Sequence, residues 1–337
     1  MTTYRSDDTF NPAEIWLARA RLKHLILRTP LLFSPALSRR TGAQIYLKME
    51  CWQVCGCFKV RGAINRVAAL SPEERGRGLV TASSGNHGIA LAYAASLFGH
   101  PPTTIFLPEY ADRTKLSKLE ALGAQIILYG ADFLQAFDRA NAYAAECGAT
   151  FVHSHAHPLV IGGQGTIGLE ILEDLPDPDL VLVPIGGGGI ISGIATAVKA
   201  ANPRVRVVGV QSAASPGAYL SLRDGICHER VNLRPSIADG LLGTFSPLPF
   251  AITVDRVEGV ALVEDDEIVI GMRALQTDEQ LMVEPAAAVT LAAILAGKID
   301  VLGLRVVLVI TSRNVDAERY RRLIEYGPER GGEVMPT

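Results

Sequence analysis

Apolar residues along this chain fall into two alternating rhythms. Between residues 78 and 152, short runs of strand length alternate with longer stretches whose apolar residues recur at helical spacing. Leu79-Val80-Thr81-Ala82 and Thr103-Thr104-Ile105-Phe106-Leu107 are two of the runs, with others at 125–128 and 150–152; the helical stretches are 89–98, 112–122 and 132–147. Strand–helix alternation with short Gly/Pro punctuation predicts a parallel sheet covered by helices. The span 78–150 is expected to form a small α/β domain of its own.

The same rhythm resumes further on. Helices are predicted at 165–172 and 190–201, a charged helix at 265–280 and an Ala-rich one at 285–296. Buried strands are predicted at 180–185, 205–210 and 305–310. Upstream, residues 12–40 read as a helix opening at Pro12, where proline suits a first turn, then, after the break at Thr29-Pro30, an extended entry and a second helix. A short strand at 44–49 leads into Cys51-Trp52-Gln53-Val54-Cys55-Gly56-Cys57-Phe58-Lys59-Val60-Arg61-Gly62-Ala63, and a further helix covers 61–70. Residues 213–250, rich in Gly, Pro and polar side chains, are expected to form loops and short helices near a site. Residues 1–77 and 151–337 together then make a larger domain around the small one.

Composition narrows the function. The 337 residues carry a net charge of −3, with 48% hydrophobic and 20% charged residues. This is an ordinary globular balance and offers no electrostatic reason for nucleic acid or an anionic membrane as partner. No apolar run reaches the roughly 18 residues of a membrane span, and the N-terminus lacks the apolar stretch of a signal peptide. Five cysteines, an odd number in a long chain, argue against a secreted disulfide scaffold and for the cytosol. Cys51, Cys55 and Cys57 do not have the spacing of common structural zinc sites and read as small residues packed near Lys59.

Candidate chemistry gathers in loops that follow predicted strands, where open α/β sheets bind ligands. Gly186, Gly187, Gly188 and Gly189 lie between a strand and a helix, so the backbone can approach an anion closely and the helix end offers free N–H groups. The alternative is a tight turn, although four glycines exceed what a turn needs. No Gly-Lys-Ser/Thr follows, so it is not a P-loop. Ser83, Ser84, Gly85, Asn86, His87 and Gly88 suit either a substrate carboxylate or a helix cap. Gly163-Gln164-Gly165-Thr166-Ile167-Gly168 matches G-x-G-x-x-G, but a poor strand precedes it and no acid stands about 20 residues on, which counts against a nicotinamide cofactor. His153, His155 and His157 share one face of an extended segment; they line a site wall or cap a strand, a metal role lacking carboxylate or cysteine partners.

In this order the motifs resemble the fold-type-II pyridoxal-phosphate enzymes of the threonine dehydratase and serine racemase branch, over roughly residues 12–320. Besides Phe58-Lys59-x-Arg61-Gly62-Ala63 and the serine, glutamine and glycine loops above, the matches are Ile237-Ala238-Asp239-Gly240, Glu284-Pro285 and Asn314-Val315-Asp316. The resemblance implies a two-domain α/β fold like the tryptophan synthase β subunit, with pyridoxal 5'-phosphate as cofactor. It implies that Lys59 carries the cofactor as a Schiff base and removes the substrate Cα proton, that Phe58 packs by the ring, and that Asn86 bonds its hydroxyl. Gly186 to Gly189 would hold the phosphate, and Thr311 would stand by the pyridine nitrogen. A neutral hydroxyl there favours elimination over transamination. Ser83 to His87 would grip the substrate carboxylate, Ser84 would also transfer a proton, and His155 and Gly240 would border the substrate. The implied reaction converts an L-β-hydroxy amino acid to an α-keto acid and ammonia, in a homodimer.

Four departures qualify it. Cys55-Gly56-Cys57 replaces the family's Thr-Gly-Ser, Arg313 takes a glycine position, and Gln211 replaces an acid that binds a metal in racemases. Ser154-His155-Ala156-His157 replaces the usual stretch beside the substrate side chain, which admits a phenylserine or a hydroxyaspartate as substrate. Racemisation is the second reading, and a non-catalytic sensor that keeps the cofactor is the third. About 20 residues follow Asp316, too few for a regulatory domain, so no isoleucine feedback is expected.

Overall fold

The computed structural model describes residues 10–83, 85–109, 113–131 and 133–328. The chain runs α1 (Glu14–Leu22), β1 (Leu31–Ser34), α2 (Pro35–Thr41), β2 (Gln44–Lys48), α3 (Lys59–Ala68) and α4 (Pro72–Gly76). It continues as β3 (Leu79–Ala82), α5 (Asn86–Leu97), β4 (Thr103–Leu107), α6 (Arg113–Ala121), β5 (Gln125–Leu128), α7 (Phe133–Cys147) and β6 (Thr150–Phe151). The remainder is α8 (Pro158–Asp174), β7 (Leu180–Pro184), α9 (Gly189–Ala201), β8 (Arg206–Ser212), α10 (Gly217–Asp224), α11 (Pro247–Thr253), β9 (Gly259–Val263), α12 (Asp265–Glu279), α13 (Pro285–Leu295), β10 (Arg305–Val309) and α14 (Ala317–Tyr326).

Local chemistry sets many of these boundaries. Ser34 caps α2 by accepting from Leu37 N, Pro35 takes the first turn, and Gly42 ends the helix in the left-handed region. Glu264 and Glu267 form a reciprocal cap at α12. β7, with five buried residues in a row, is a strand covered on both faces.

The strands form two sheets. A four-stranded sheet, ordered β5-β4-β3-β6, is wholly parallel and drawn from residues 79–151. A six-stranded sheet is ordered β1-β2-β10-β7-β8-β9. All its pairs are parallel except β1 with β2, so the extended entry after Thr29-Pro30 is an antiparallel edge strand. The strand β9 has no counterpart in the sequence reading; its five residues form a weak apolar run at the far edge, only one of them fully buried. The last strand, β10, inserts between β2 and β7 at the centre of the sheet.

The G-x-G-x-x-G segment is corrected most plainly. α8 begins at Pro158 rather than Gly165, with His157 as its cap, so these glycines lie inside a helix and form no dinucleotide loop. They serve close packing. A Cβ on Gly163 would lie 2.6 Å from Arg61 O, and one on Gly193 of α9 would lie 2.5 Å from Gly165 N. The backbones of α3 and α9 thus press directly on α8, which side chains there would prevent.

Beside that contact lies a buried ion cluster. Arg61, fully buried, gives Glu50 two bonds of 2.8 Å and Glu170 bonds of 2.7 and 2.8 Å, and a fifth of 3.1 Å to Thr166 Oγ1. Lys48, also buried, bonds Glu170 at 2.5 Å and Thr29 O at 2.6 Å. Burial alone would raise the Glu170 pKa, but Arg61 and Lys48 hold it below the usual carboxylate value. The cluster ties β2, α3 and α8 together two residues beyond Lys59, in the same first turn of α3. Replacing Arg61 with Met leaves two carboxylates without their buried partner, and should cost about 3–5 kcal/mol of stability in urea unfolding. A loss under about 1 kcal/mol would show that the cluster does not anchor α3.

Candidate active site

Cys57 and Ser312 form an isolated antiparallel bridge, and Phe58 N donates to Thr311 O at 3.1 Å. This pairing sets Lys59 at the C-terminal end of β10, beside the end of β7 where the glycine loop begins. The Lys59 amine donates to Ser154 O at 3.1 Å and lies 5.2 Å from the centre of the Phe58 ring. Burial pushes its pKa down to about 8, with the Cys57 thiol pulling weakly the other way. A lysine near neutrality is a usable nucleophile and base.

Gly188 has φ +95° and stands at the N-terminus of α9 with no side-chain cap. A Cβ on Gly187 would lie 2.4 Å from the His155 ring, and one on Gly188 2.5 Å from Phe245. Glycine is therefore required twice, and the start of α9 carries no side-chain cap on its N–H groups. This cradle fits a phosphate, and Lys59 fits its aldehyde.

Asn86 is locked by two neighbours. Its Nδ2 donates to Glu284 at 2.9 and 3.1 Å, and its Oδ1 accepts from Asn314 Nδ2 at 2.7 Å. Asn314 also donates to Cys55 O, and its N–H to Glu284. Ser83 Oγ accepts from Gly85 N and Gly88 N, so its side chain shapes the loop, while α5 starts at Asn86 with no side-chain cap. His87 bonds Val152 O at 3.0 Å, and burial with the Lys59 charge drops its pKa to about 3. Ser84 lies outside the described residues. Gly240 sits in a turn against the glycine loop, where a Cβ on Gly186 would meet Gly240 O at 3.4 Å. Thr311 is buried at the end of β10.

The segment carrying the three alternating histidines turns instead of running extended, and the His153 and His155 rings still meet edge to face with centroids 4.5 Å apart. His153 Nδ1 accepts from His155 N and Ala156 N, and His157 Nδ1 caps α8 through Leu159 N. His155 alone reaches the glycine loop, held between Ser154 Oγ at 2.9 Å and Ser246 Oγ at 2.8 Å. Burial keeps His153 near 4 and His155 well below its ordinary value, so both are neutral. Among the described residues, no group of three or more His, Cys, Asp or Glu could hold a metal. At the position of the racemase metal ligand, Gln211 Oε1 instead accepts from Ala218 N and Tyr219 N. Arg313 is exposed and its backbone is not in the left-handed region, so glycine is not needed there.

Some members of the site had no assigned role in the sequence. Glu284 and Asn314 stood only within motifs, and Ser246 had no signal, because it reaches His155 from a loop 91 residues away.

The fold and these motifs match the family model described as "Pyridoxal-phosphate dependent enzyme" over residues 22–312, and the chain belongs to this family. Its fold is fold type II. It is 45% identical over 319 residues to an L-threonine ammonia-lyase of Thermotoga maritima, covering 94% of this chain and 79% of the relative. It is 38% identical to an L-threo-3-hydroxyaspartate ammonia-lyase of Saccharomyces cerevisiae, covering 95% and 96% of the two chains. The solved structure of maize serine racemase superposes with a TM-score of 0.88 at 33% identity, covering 93% of this chain and 96% of that one.

Two outcomes test the cradle. Gly187→Ala should abolish tight cofactor binding, read as loss of its visible absorbance after gel filtration. The initial rate of cofactor loading should rise with pH through a midpoint near 8 and level off above it, because only the neutral amine of Lys59 reacts. A rate flat between pH 6 and 9 would contradict the lysine's depressed pKa.

Proposed function

We propose that this protein is a pyridoxal-phosphate-dependent ammonia-lyase that converts an L-β-hydroxy amino acid of the threonine and serine type to the α-keto acid and ammonia. The observation that carries this reading is a buried lysine bonded to Ser154 O and set at the end of β10, next to the β7 end where a glycine loop packed on His155 opens α9 without a side-chain cap. Bound pyridoxal phosphate supplies the electron sink that acidifies the substrate Cα–H. Lys59 would hold the cofactor and would take that proton. The glycine loop would hold the phosphate, Phe58 would pack by the ring, and Asn86, fixed by Glu284 and Asn314, would present its amide to the ring hydroxyl. The α5 N-terminus would receive the substrate carboxylate, with Ser83, Gly85 and His87 shaping the loop. Thr311 would offer the ring nitrogen a neutral hydroxyl, which would favour loss of the β-hydroxyl over transamination.

Neutral imidazoles favour a neutral substrate side chain. His155 brings a dipole to the wall and no formal charge, so a β-carboxylate lacks a fixed cation there. This ranks threonine and serine above the hydroxyaspartates. Similarity to serine racemase supports racemisation as a secondary activity, with Ser84 as the opposite-face acid.

Three subsidiary assignments go with this reading. Residues 78–150 form a small domain, supported by the self-contained four-stranded sheet. The protein is a cytosolic homodimer, supported by free cysteines and by Leu32 and Phe33 exposed on edge strand β1. No divalent metal is needed, because Gln211 is engaged with the start of α10.

With threonine, serine, phenylserine and the hydroxyaspartates offered in turn, α-keto acid and ammonia should appear in one-to-one ratio, fastest from threonine or serine. Lys59→Ala should remove both turnover and the cofactor's visible absorbance; surviving turnover would sink the assignment. A chelator should leave the rate unchanged. Exchange of the Cα hydrogen without ammonia release would move the protein to the racemases.

A further inference from the structure

The loop carrying Gly240 is held from outside the site. Ile237 N donates to Asp265 Oδ2 at 3.0 Å, and Ser236 Oγ donates to Asp265 Oδ1 at 2.5 Å, which fixes the loop's start to the first residue of α12. From the other side, Arg319 donates through Nη2 to Ile237 O at 3.0 Å and through Nη1 to Asp239 Oδ2 at 3.1 Å. Both polar groups of the Ile237 peptide are therefore taken by side chains of two different helices.

Arg319 lies in the first turn of α14, and that turn grows directly out of the site. Thr311 to Asn314 end the central strand, and Asp316 then caps the helix by accepting from Arg319 N at 2.9 Å. One residue thus connects the strand end beside Lys59 to the loop facing it. The loop has little slack. A Cβ on Gly240 would lie 3.3 Å from the Ala286 Cβ and 3.7 Å from Glu284 Oε2, and one on Gly186 would lie 3.3 Å from the Leu241 Cα. A shift of the Asp239–Gly240 turn would move it against the phosphate loop on one side and against the Glu284–Asn86 pair on the other.

We propose that Arg319 is a positioning residue for the substrate, its forked guanidinium clamping Ile237 and Asp239 so that Gly240 is held at the substrate wall. This rests on the reading of Gly240 as a border of the substrate. The arginine touches neither substrate nor cofactor. Its geometry needs a fork, because two acceptors on one loop are met by two different nitrogens, and a lysine can meet only one at a time. The Arg319–Asp239 pair is partly exposed, with side-chain exposures of 40% and 38%, so it is open to screening by salt and is suited to setting geometry more than to adding stability.

The test uses the full-length holoenzyme. Arg319→Gln should raise KM for the amino acid by about tenfold, with kcat changed by less than about twofold. The cofactor dissociation constant, read by absorbance titration, and the melting temperature should stay at wild-type values. Arg319→Lys should recover part of the KM, and KM of the wild type should rise with ionic strength while that of Arg319→Gln does not. An unchanged KM in Arg319→Gln overturns the proposal. So does a KM that rises only together with weaker cofactor binding and a lower melting temperature, which is what a purely structural contact produces. If Arg319→Gln does not fold, Arg319→Met, which keeps the stem and removes both donors of the fork, should give the same KM increase; a wild-type KM there is equally fatal. Lys59→Ala separates the two levels. Lost turnover with an unchanged KM in Arg319→Gln removes the clamp alone, and retained turnover removes the reading of the site beneath it.

Discussion

The geometry of the site depends on a buried charge cluster that takes no part in the chemistry. Arg61 and Lys48 meet Glu50 and Glu170 in a neutral group of four, fully or almost fully buried. Such a group is costly to bury and stays only if every hydrogen bond is made. Here each charge is met by opposite charge, and Thr29 and Thr166 take up further bonds. The first turn of α3 is thereby fixed to β2 and α8, and Lys59 begins that turn. Because glycines let the α8 backbone touch its neighbours, there is little room for α3 to slide.

On that frame the site is assembled from loops at strand ends. The pairing of Cys57–Phe58 with Thr311–Ser312 brings the lysine to β10, and the order of the sheet brings β10 beside β7 and its glycines. The electrostatics follow from burial. The lysine and the nearby imidazoles all shift toward their neutral forms, since the pocket solvates no charge well and each positive charge opposes the next. Under the proposed reading, anions would be held by helix N-termini, whose N–H groups keep their polarity at any pH.

Much of this was legible in the sequence, for identifiable reasons. Buried parallel strands such as β7 announce themselves as continuous apolar runs, and loops that need glycine at a strand end stand out as Gly186 to Gly189. The errors lie where tertiary contact overrides local pattern. The helix read from Gly165 begins at Pro158, and its glycines are tolerated because packing against α3 and α9 repays the helical cost of glycine. The histidines were read on an extended segment, but His153 closes a turn on its own backbone. The weak strand at the far sheet edge, β9, carries too little buried surface to leave a pattern. Long-range partners such as Ser246 for His155 and Arg319 for Ile237 leave no trace in local spacing at all.

The place of β10 bears on how the molecule is made. The last strand among the described residues is not added at an edge; it enters between β2 and β7, which lie more than a hundred residues apart in the chain. Until it arrives, each of those strands has a bare side, and the site has neither Thr311 nor the bridge that sets Lys59. The four-stranded sheet, by contrast, draws on one continuous stretch and can close early. The small sheet is thus built from local pairings, whereas the large one and the setting of Lys59 depend on pairings distant in sequence. A nascent chain stalled before residue 305 would present two unpaired apolar strand edges, the condition under which large proteins aggregate or recruit chaperones.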